Sequence, residues 1–303
     1  MVSYGLNTCS IQRLLAPSQL NAALTRESSY AYFLRAYPQV LLLSLSRANV
    51  NKNDLWALLI LACAPLLYFL RYKGPFSTPI GKFVITGQDT LRASVYGFFK
   101  TYFCYLRTLN RILGSEAEFD TVVDVGANVG DFTMATAQRS KRLVAVEPGR
   151  ANVKALRLNI QSNGIEHVEV QNLAAHHREE TLHLRGIGAG IHVVDECGDE
   201  TVDAKPLDMI LEQLKISCAD VLKIDVNGHE RMVIEGLQSR LGMKRVKTIV
   251  VEVHLNHVSA GHIISLDYII PLVESFGYLL VATDSYLFRQ PHLYFSSEPK
   301  FHV

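Results

Sequence analysis

Val122-Val-Asp-Val-Gly-Ala-Asn-Val-Gly-Asp-Phe132, followed by Val144-Ala-Val-Glu-Pro148, is the stretch on which the fold turns. A short apolar strand ends in Asp124, a turn runs from Gly126 to Gly130 and a helix starts. A second apolar strand then ends in Glu147, about 20 residues past the turn, which is the spacing of a βαβ unit that receives an adenosine. Pro148 disfavours a helical backbone at Glu147, which keeps that carboxylate on the strand tip, and Pro148 itself suits the first turn of the next helix. Val153, Leu156 and Ile160 follow at helical spacing, and Asn163-Gly164 supplies a stop. Outward from this unit, strands are expected at 121–125, 143–147, 167–172, 220–225, 247–253 and 277–282, with another near 292–296. Helices fit 130–139, 150–162, 206–215, 229–240 and 264–276. The alternation predicts an α/β fold with a doubly wound, mostly parallel sheet of Rossmann type, whose ligands sit outside the carboxyl ends of the strands.

A carboxylate at the tip of the second strand can accept hydrogen bonds from both ribose hydroxyls of an adenosine ligand. The dinucleotide fingerprint G-x-G-x-x-G needs its second glycine for close approach to a pyrophosphate and its third for helix packing. Here Asn128 and Asp131 stand at those positions. Asn128 would crowd a diphosphate, and Asp131 would set negative charge beside it. S-adenosylmethionine has no phosphate and carries a cationic sulfonium and ammonium, which Asp124 and Asp131 would attract in a partly dry site. An NAD-dependent oxidoreductase is the enzymatic rival, disfavoured by the two occupied glycine positions.

The chain has 303 residues, is 49% hydrophobic and carries a net charge of +1. That balance gives no electrostatic case for a nucleic-acid partner. Five scattered cysteines, without a C-x-x-C pair, suggest neither a zinc framework nor a disulfide scaffold, and point to a reducing, cytoplasmic setting. The organisation expected is an apolar helical extension and linker over 1–79 and a ligand-binding domain over 80–303. The extension holds two apolar runs, Gln39 to Leu45 and Leu55 to Leu70. The second falls short of the ~20 residues that span a bilayer. It reads either as a helix packed on the domain or as a membrane-associated segment. Basic residues flank it on both sides, so charge sets no orientation. Met1 to Ser10 lacks a basic start followed by an apolar core, so no cleavable signal is expected. Gly74 to Gly87 reads as a linker into a short strand, and Arg92 to Leu113 as an aromatic-rich helix.

Two further strands bring chemistry to the same sheet edge. Asp220-Val-Leu-Lys-Ile-Asp225 ends in a carboxylate that either caps the next helix or serves a ligand. Thr248-Ile-Val-Val-Glu-Val-His254 ends in Glu252 and His254, two apart and so on one face. Imidazole titrates near neutrality, which makes His254 a candidate proton acceptor beside the bland reading of a hydrogen-bonded loop histidine. His257 and His262 match no metal-ligand spacing, and no metal is expected. His176, His177 and His192 are expected in exposed segments without a role.

Asp124, Gly126, Asn128, Gly130, Glu147-Pro148, Leu207-Asp208, Lys223-Ile-Asp-Val-Asn-Gly-His-Glu230 and Glu252-Val-His254 together resemble the FkbM-like methyltransferase family, strongly over Phe119 to His254. The resemblance implies a class I, S-adenosylmethionine-dependent O-methyltransferase acting on a hydroxyl of a sugar or natural-product-like acceptor. On that reading Asp124, Gly126, Asn128 and Gly130 cradle the methionine part of the cofactor. Glu147 takes the ribose, and Asn172 and Ala174 lie near the adenine. Asp225 or His254 accepts the hydroxyl proton. The partner is then a small-molecule or glycan acceptor. The family usually has Glu where Asn227 stands. With the apolar extension, this departure makes a membrane-associated, catalytically altered binding protein the non-enzymatic rival.

Overall fold

The structure is a computed structural model that describes residues 52–186, 190–194, 198–255, 258–259, 262–263, 266–286 and 290–298. The apolar run Gln39 to Leu45 lies outside these described residues.

The expected strands form one sheet. In chain order they are β3 (Phe119–Val125), β4 (Ser140–Val146), β5 (Val168–Gln171), β10 (Ala219–Ile224), β11 (Val246–Glu252), β14 (Leu279–Tyr286) and β15 (Gln290–Ser296). They lie in the order β14-β15-β11-β10-β3-β4-β5. β10 pairs in parallel with β11 and β3, and β3, β4 and β5 continue in parallel. β15 runs antiparallel to both β11 and β14. The chain leaves β3 toward β4 on one side and returns as β10 on the other, so the ligand crevice opens above the β3–β10 boundary. The central strands carry near-continuous apolar runs because helices cover both faces. Val122, Val144, Leu222 and Val250 have no exposure at all.

Helices α4 (Asp131–Ala137) and α5 (Arg150–Ser162) follow β3 and β4 as the sequence predicts, and α6 (Leu207–Gln213) lies within the helix expected over 206–215. The expected helix over 229–240 is instead two short ones, α7 (Glu230–Glu235) and α8 (Gln238–Gly242). They are separated at Gly236, whose Cα approaches the His176 carbonyl so closely that a Cβ would lie 1.9 Å from its oxygen.

Three features were not expected. Gly74 to Gly87 contains the expected short strand, β2 (Gly81–Ile85), but the linker before it is itself a strand, β1 (Gly74–Thr78), paired with β2 as a hairpin. The segment after β5 forms a second sheet from β6 (Ala174–His176), β7 (Glu180–Arg185), β8 (His192–Val194) and β9 (Glu200–Pro206). Its order is β6-β9-β7-β8. The aromatic-rich helix is three pieces, α2 (Gln88–Lys100), a π turn (Thr101–Tyr105) and α3 (Leu106–Leu113).

The N-terminal apolar run is helix α1 (Lys52–Phe69), apolar on all sides. One side packs on the domain: Ala57, Ile60 and Ala64 join Phe83, Leu91, Phe98 and Phe99 in a single core cluster. Asp54 is fully buried there and is held by Arg107 at 2.7 Å and by the Tyr102 hydroxyl at 3.2 Å. The other side exposes Leu55, Trp56, Leu59, Leu66 and Phe69. No helix among the described residues is long and apolar enough to cross a membrane.

Candidate active site

A cavity of roughly 360 Å³ lies over the carboxyl ends of β3, β4, β10 and β11 and runs from Glu147 and Pro148 to Asp225, Glu252 and His254. The small sheet walls one end through Leu182, Leu184 and Ile191, with Ala174 and Ala175 beside them. α2 walls the other through Tyr96, Gly97 and Lys100.

The turn after β3 is built for close approach. Gly126 has φ +77, and a Cβ there would lie 1.8 Å from the Asp225 carbonyl oxygen. Asn128 has φ +52, a region that asparagine tolerates better than most residues. Its backbone N–H donates to Glu147 Oε2 at 2.8 Å. Gly149 N–H and Asn152 Nδ2 donate to Glu147 Oε1, each at 3.0 Å. Burial raises the Glu147 pKa, and these three donors oppose the rise. Ionised, the carboxylate has about four lone-pair positions, so roughly one remains, on Oε2.

The opposite end is a charged network. Lys100 Nζ lies 2.7 Å from Asp225 Oδ2 and 2.8 Å from Glu252 Oε2. The Tyr105 hydroxyl donates to that same Glu252 oxygen at 2.6 Å. Lys100 and Tyr105 are five residues apart, and the π turn brings both to one atom: its closing bond runs from the Leu106 N–H to the Thr101 carbonyl, five residues back. Thr101 donates to Asp131 Oδ2 at 2.5 Å from the same turn. Lys223 Nζ donates to the Gly126 carbonyl at 2.8 Å and stands 3.1 Å from Asp124 Oδ1 and 3.4 Å from Asp225 Oδ2. His254 Nδ1 lies 2.8 Å from Glu230 Oε1, and its Nε2 is 3.7 Å from Asp225 Oδ1.

These neighbours set the charges. Burial disfavours the Lys100 ammonium, but Asp225 and Glu252 outweigh it and hold its pKa well above the usual lysine value. Burial likewise opposes charge on His254, yet Glu230, with Glu252 and Asp225 behind it, raises its pKa to about 9. His254 is therefore an imidazolium at neutral pH. Asp225, Glu252 and His254 lie close enough to group around a metal ion, but the Lys100 ammonium already bridges the two carboxylates.

Of the residues singled out from sequence, Gly126, Asn128, Glu147, Ala174, Asp225 and His254 line the cavity. Asp124 is fully buried, bonded by the Thr133 hydroxyl at 2.7 Å and paired with Lys223. Gly130 has φ +95, and a Cβ there would press on Leu156 at 2.5 Å, so it serves the turn and the packing of α5. Asn172 donates to the carbonyls of Glu147 and Pro148 at 3.1 and 2.8 Å, which ties down the strand tip. His176, expected to be exposed, is buried and lines the cavity; His192 is exposed and lines it too. Lys100, Tyr105 and Lys223 were missed. The signal for Lys100 was a lone cation inside the aromatic run Phe98-Phe-Lys-Thr-Tyr-Phe103.

The residues present fit S-adenosylmethionine. Asn128 Oδ1 is buried without a hydrogen-bond partner on the cavity wall, an acceptor suited to an ammonium. Asp131 also lines the cavity, where Lys100, Lys223 and Thr101 oppose the rise that burial gives its pKa, and Glu147 keeps one lone pair for a ribose hydroxyl.

The family model described as methyltransferase FkbM domain matches residues 124–280. A hexuronic acid methyltransferase, AglP, from Haloferax volcanii is 28% identical over 147 residues, which are 48% of this chain and 60% of that protein. The chain thus spans less than two thirds of that relative. Among solved structures, the N-methyltransferase NodS from Bradyrhizobium japonicum WM9 with S-adenosyl-L-homocysteine aligns at 11% identity and TM-score 0.43, over 70% of this chain and 93% of that one. Fibrillarin from Aeropyrum pernix with natively bound S-adenosyl-L-methionine aligns at 12% identity and TM-score 0.39, over 59% and 67%.

Proposed function

The chain belongs to the methyltransferase FkbM domain family, and from that premise we propose that it is an S-adenosylmethionine-dependent methyltransferase that methylates a hydroxyl of a sugar-like acceptor. The observation that carries this reading is Asp225. Its Oδ2 is pinned by two lysines, while Oδ1 accepts no hydrogen bond from the described residues, His254 Nε2 standing 3.7 Å away, and the side chain is the least buried carboxylate of the network. A hydroxyl bound there would give its proton to Oδ1 as its oxygen attacks. S-adenosylmethionine supplies a methyl group on a sulfonium that departs as a neutral thioether.

Each remaining residue has a part in this scheme. Asn128 and Asp131 hold the ammonium, Glu147 takes one ribose hydroxyl, and Ala174, Ala175, Leu182, Leu184 and Ile191 enclose the adenine. Asp124 acts as a positioning residue through Lys223 and Thr133, and Asn172 by fixing the Glu147 tip. His254 is already protonated, so the proton-acceptor role passes to Asp225 and His254 supplies a fixed positive charge near Oδ1. Lys100 and Tyr105 orient Glu252 and Asp225. Holding donor and acceptor in line is the larger part of the rate effect.

Transfer of a labelled methyl group to a panel of sugars, sugar acids and polyols tests the reading. Turnover on a neutral sugar that falls at least about a hundredfold in Asp225→Asn, within the usual range for a positioned base, supports it. The relative named for a hexuronic acid favours a second reading, transfer to a sugar carboxylate. A carboxylate has no proton to lose, so Asp225→Asn would leave that reaction nearly intact. Absence of transfer to every sugar, with donor bound, would overturn both.

The exposed side of α1 supports a lipid-surface association as well. Leu55, Trp56, Leu59, Leu66 and Phe69 stand out there, with Leu70 just beyond, and Lys52, Arg71 and Lys73 are exposed at the two ends. Apolar bulk ringed by cations suits the boundary of an anionic membrane.

A further inference from the structure

We propose that His176, His177 and Glu180 form a divalent-metal site, suited to zinc, that staples the turn at the base of the small sheet. The inference does not depend on the methyl acceptor. His176 is the last residue of β6 and Glu180 the first of β7, so the three residues face one another across a single turn. One ligand atom from each lies within 4.8 Å of the others. His176 Nδ1 stands 3.0 Å from Glu180 Oε1. His176 is only 5% exposed; its Nδ1 meets Glu180 at that distance without hydrogen-bond geometry, and His177 Nδ1 is buried with no hydrogen bond. Buried polar atoms left in this way call for an explanation, and an unplaced ion is one. The two rings lie 4.4 Å apart, centroid to centroid.

The chemistry of the set is consistent. Two imidazoles and one carboxylate are borderline ligands of the kind zinc takes, with a fourth position left for water. A ligating imidazole must be neutral, and burial, reinforced by His177, lowers the His176 pKa to about 4. Arg178 grips Glu180 through both oxygens, at 2.9 and 3.0 Å, and is largely exposed. One lone pair on each oxygen stays open, so Arg178 can remain behind the carboxylate while the front oxygen takes the metal.

The site would do mechanical work. β6 and β7 both pair with β9, and the sheet they form carries Leu182, Leu184 and Ile191 over the donor end of the cavity. The His176 carbonyl is packed against Gly236 in the main domain. A metal bridging His176 and Glu180 would therefore fix that wall relative to the domain, and donor affinity would rise when it is bound.

The experiment is zinc titration of the metal-stripped full chain against a chromophoric chelator, with cobalt substituted to read coordination geometry. One zinc equivalent at micromolar affinity or tighter and a tetrahedral cobalt spectrum are expected. Binding should weaken at least tenfold in His177→Ala and in Glu180→Gln, both of which alter partly exposed side chains, and stay unchanged in His183→Ala on the same strand. Removing zinc should lower S-adenosylhomocysteine affinity at least about threefold in the wild type and not in His177→Ala. No stoichiometric zinc, or zinc binding unaltered in His177→Ala and Glu180→Gln, would overturn the site. Equal S-adenosylhomocysteine affinity with and without zinc would overturn its coupling to the donor.

Discussion

At the scale of single residues, charge decides function. Asp225→Asn keeps the shape and removes the acceptor, so methyl transfer to a hydroxyl should fall about 10²–10⁴-fold while S-adenosylhomocysteine affinity, read by calorimetry, changes little. His254→Gln should cost less, since His254 only lends charge. The histidines also make stability depend on pH. His254 and His292 have pKa values of about 9 in the folded chain against 6.5 for an ordinary histidine. The folded state therefore holds these protons more tightly. Their stabilisation is complete below pH 6.5 and is lost as pH climbs to 9. A rise of 9 − 6.5 = 2.5 units sets an upper bound on the order of 3 kcal/mol for each. His176 has the opposite sign: with its pKa lowered to about 4, stability falls as pH drops from 6.5 toward 4. Thermal melts should thus peak near pH 6.5, and His254→Gln should flatten the alkaline side. An alkaline limb of equal slope in that variant would show that His254 is uncharged. Asn227 belongs to this scale too. Its φ is +50 and its Nδ2 donates to the Ile191 carbonyl at 2.8 Å, a bond that an ionised carboxylate at this position could not donate.

At the scale of elements, the π turn is the device that assembles the charged end of the cavity. It sets Lys100 and Tyr105 on one oxygen of Glu252, and Thr101 on Asp131. Lys100→Met would keep much of the stem but leave Asp225 and Glu252 without their shared cation. Breaking a buried pair in this way costs about 3–5 kcal/mol. Chemical denaturation should register a loss of that order, and a change under 1 kcal/mol would mean that the two carboxylates share a proton instead. The turn after β3 is the other critical element. Gly126→Ala puts a methyl group into the Asp225 carbonyl and asks alanine for φ +77. Donor affinity should drop by more than tenfold, since Asn128 and the Asp225 loop must separate.

At the scale of the whole molecule, α1 joins two environments. Its inner side is part of the domain core, and the Asp54–Arg107 pair anchors it. Deletion of residues before Gly74 should therefore expose Phe83, Leu91 and Phe98 and cause aggregation. Its outer side predicts sedimentation with anionic vesicles. Phe69→Ser removes several buried methylene equivalents at ~0.8 kcal/mol each, enough for at least a tenfold loss of partitioning. Equal pelleting of wild type and a Leu59→Ser/Phe69→Ser double variant would assign that face to something other than lipid.

The βαβ pattern, the strand order's raw material and the acids at the strand tips were legible in the chain, because a period of two or 3.6 residues and a Gly or Pro at a boundary act within a short window. Asp225 and Glu147 could be placed on one edge for that reason alone. What fills their lone pairs could not. Lys100 reaches Glu252 across 152 residues, and Val84 N–H reaches Asn159 Oδ1 across 75. The charge of His254 was out of reach for the same cause: it is set by Glu230 and Glu252, which only packing brings to it. The small sheet escaped notice because its strands are short, β6 and β8 only three residues each, although β7 and β9 alternate buried and exposed positions, and the buried His176 escaped with it. Local periodicity determined the sheet and the edge that carries its acids; which group holds a proton there was decided by contacts that exist only once the chain has folded.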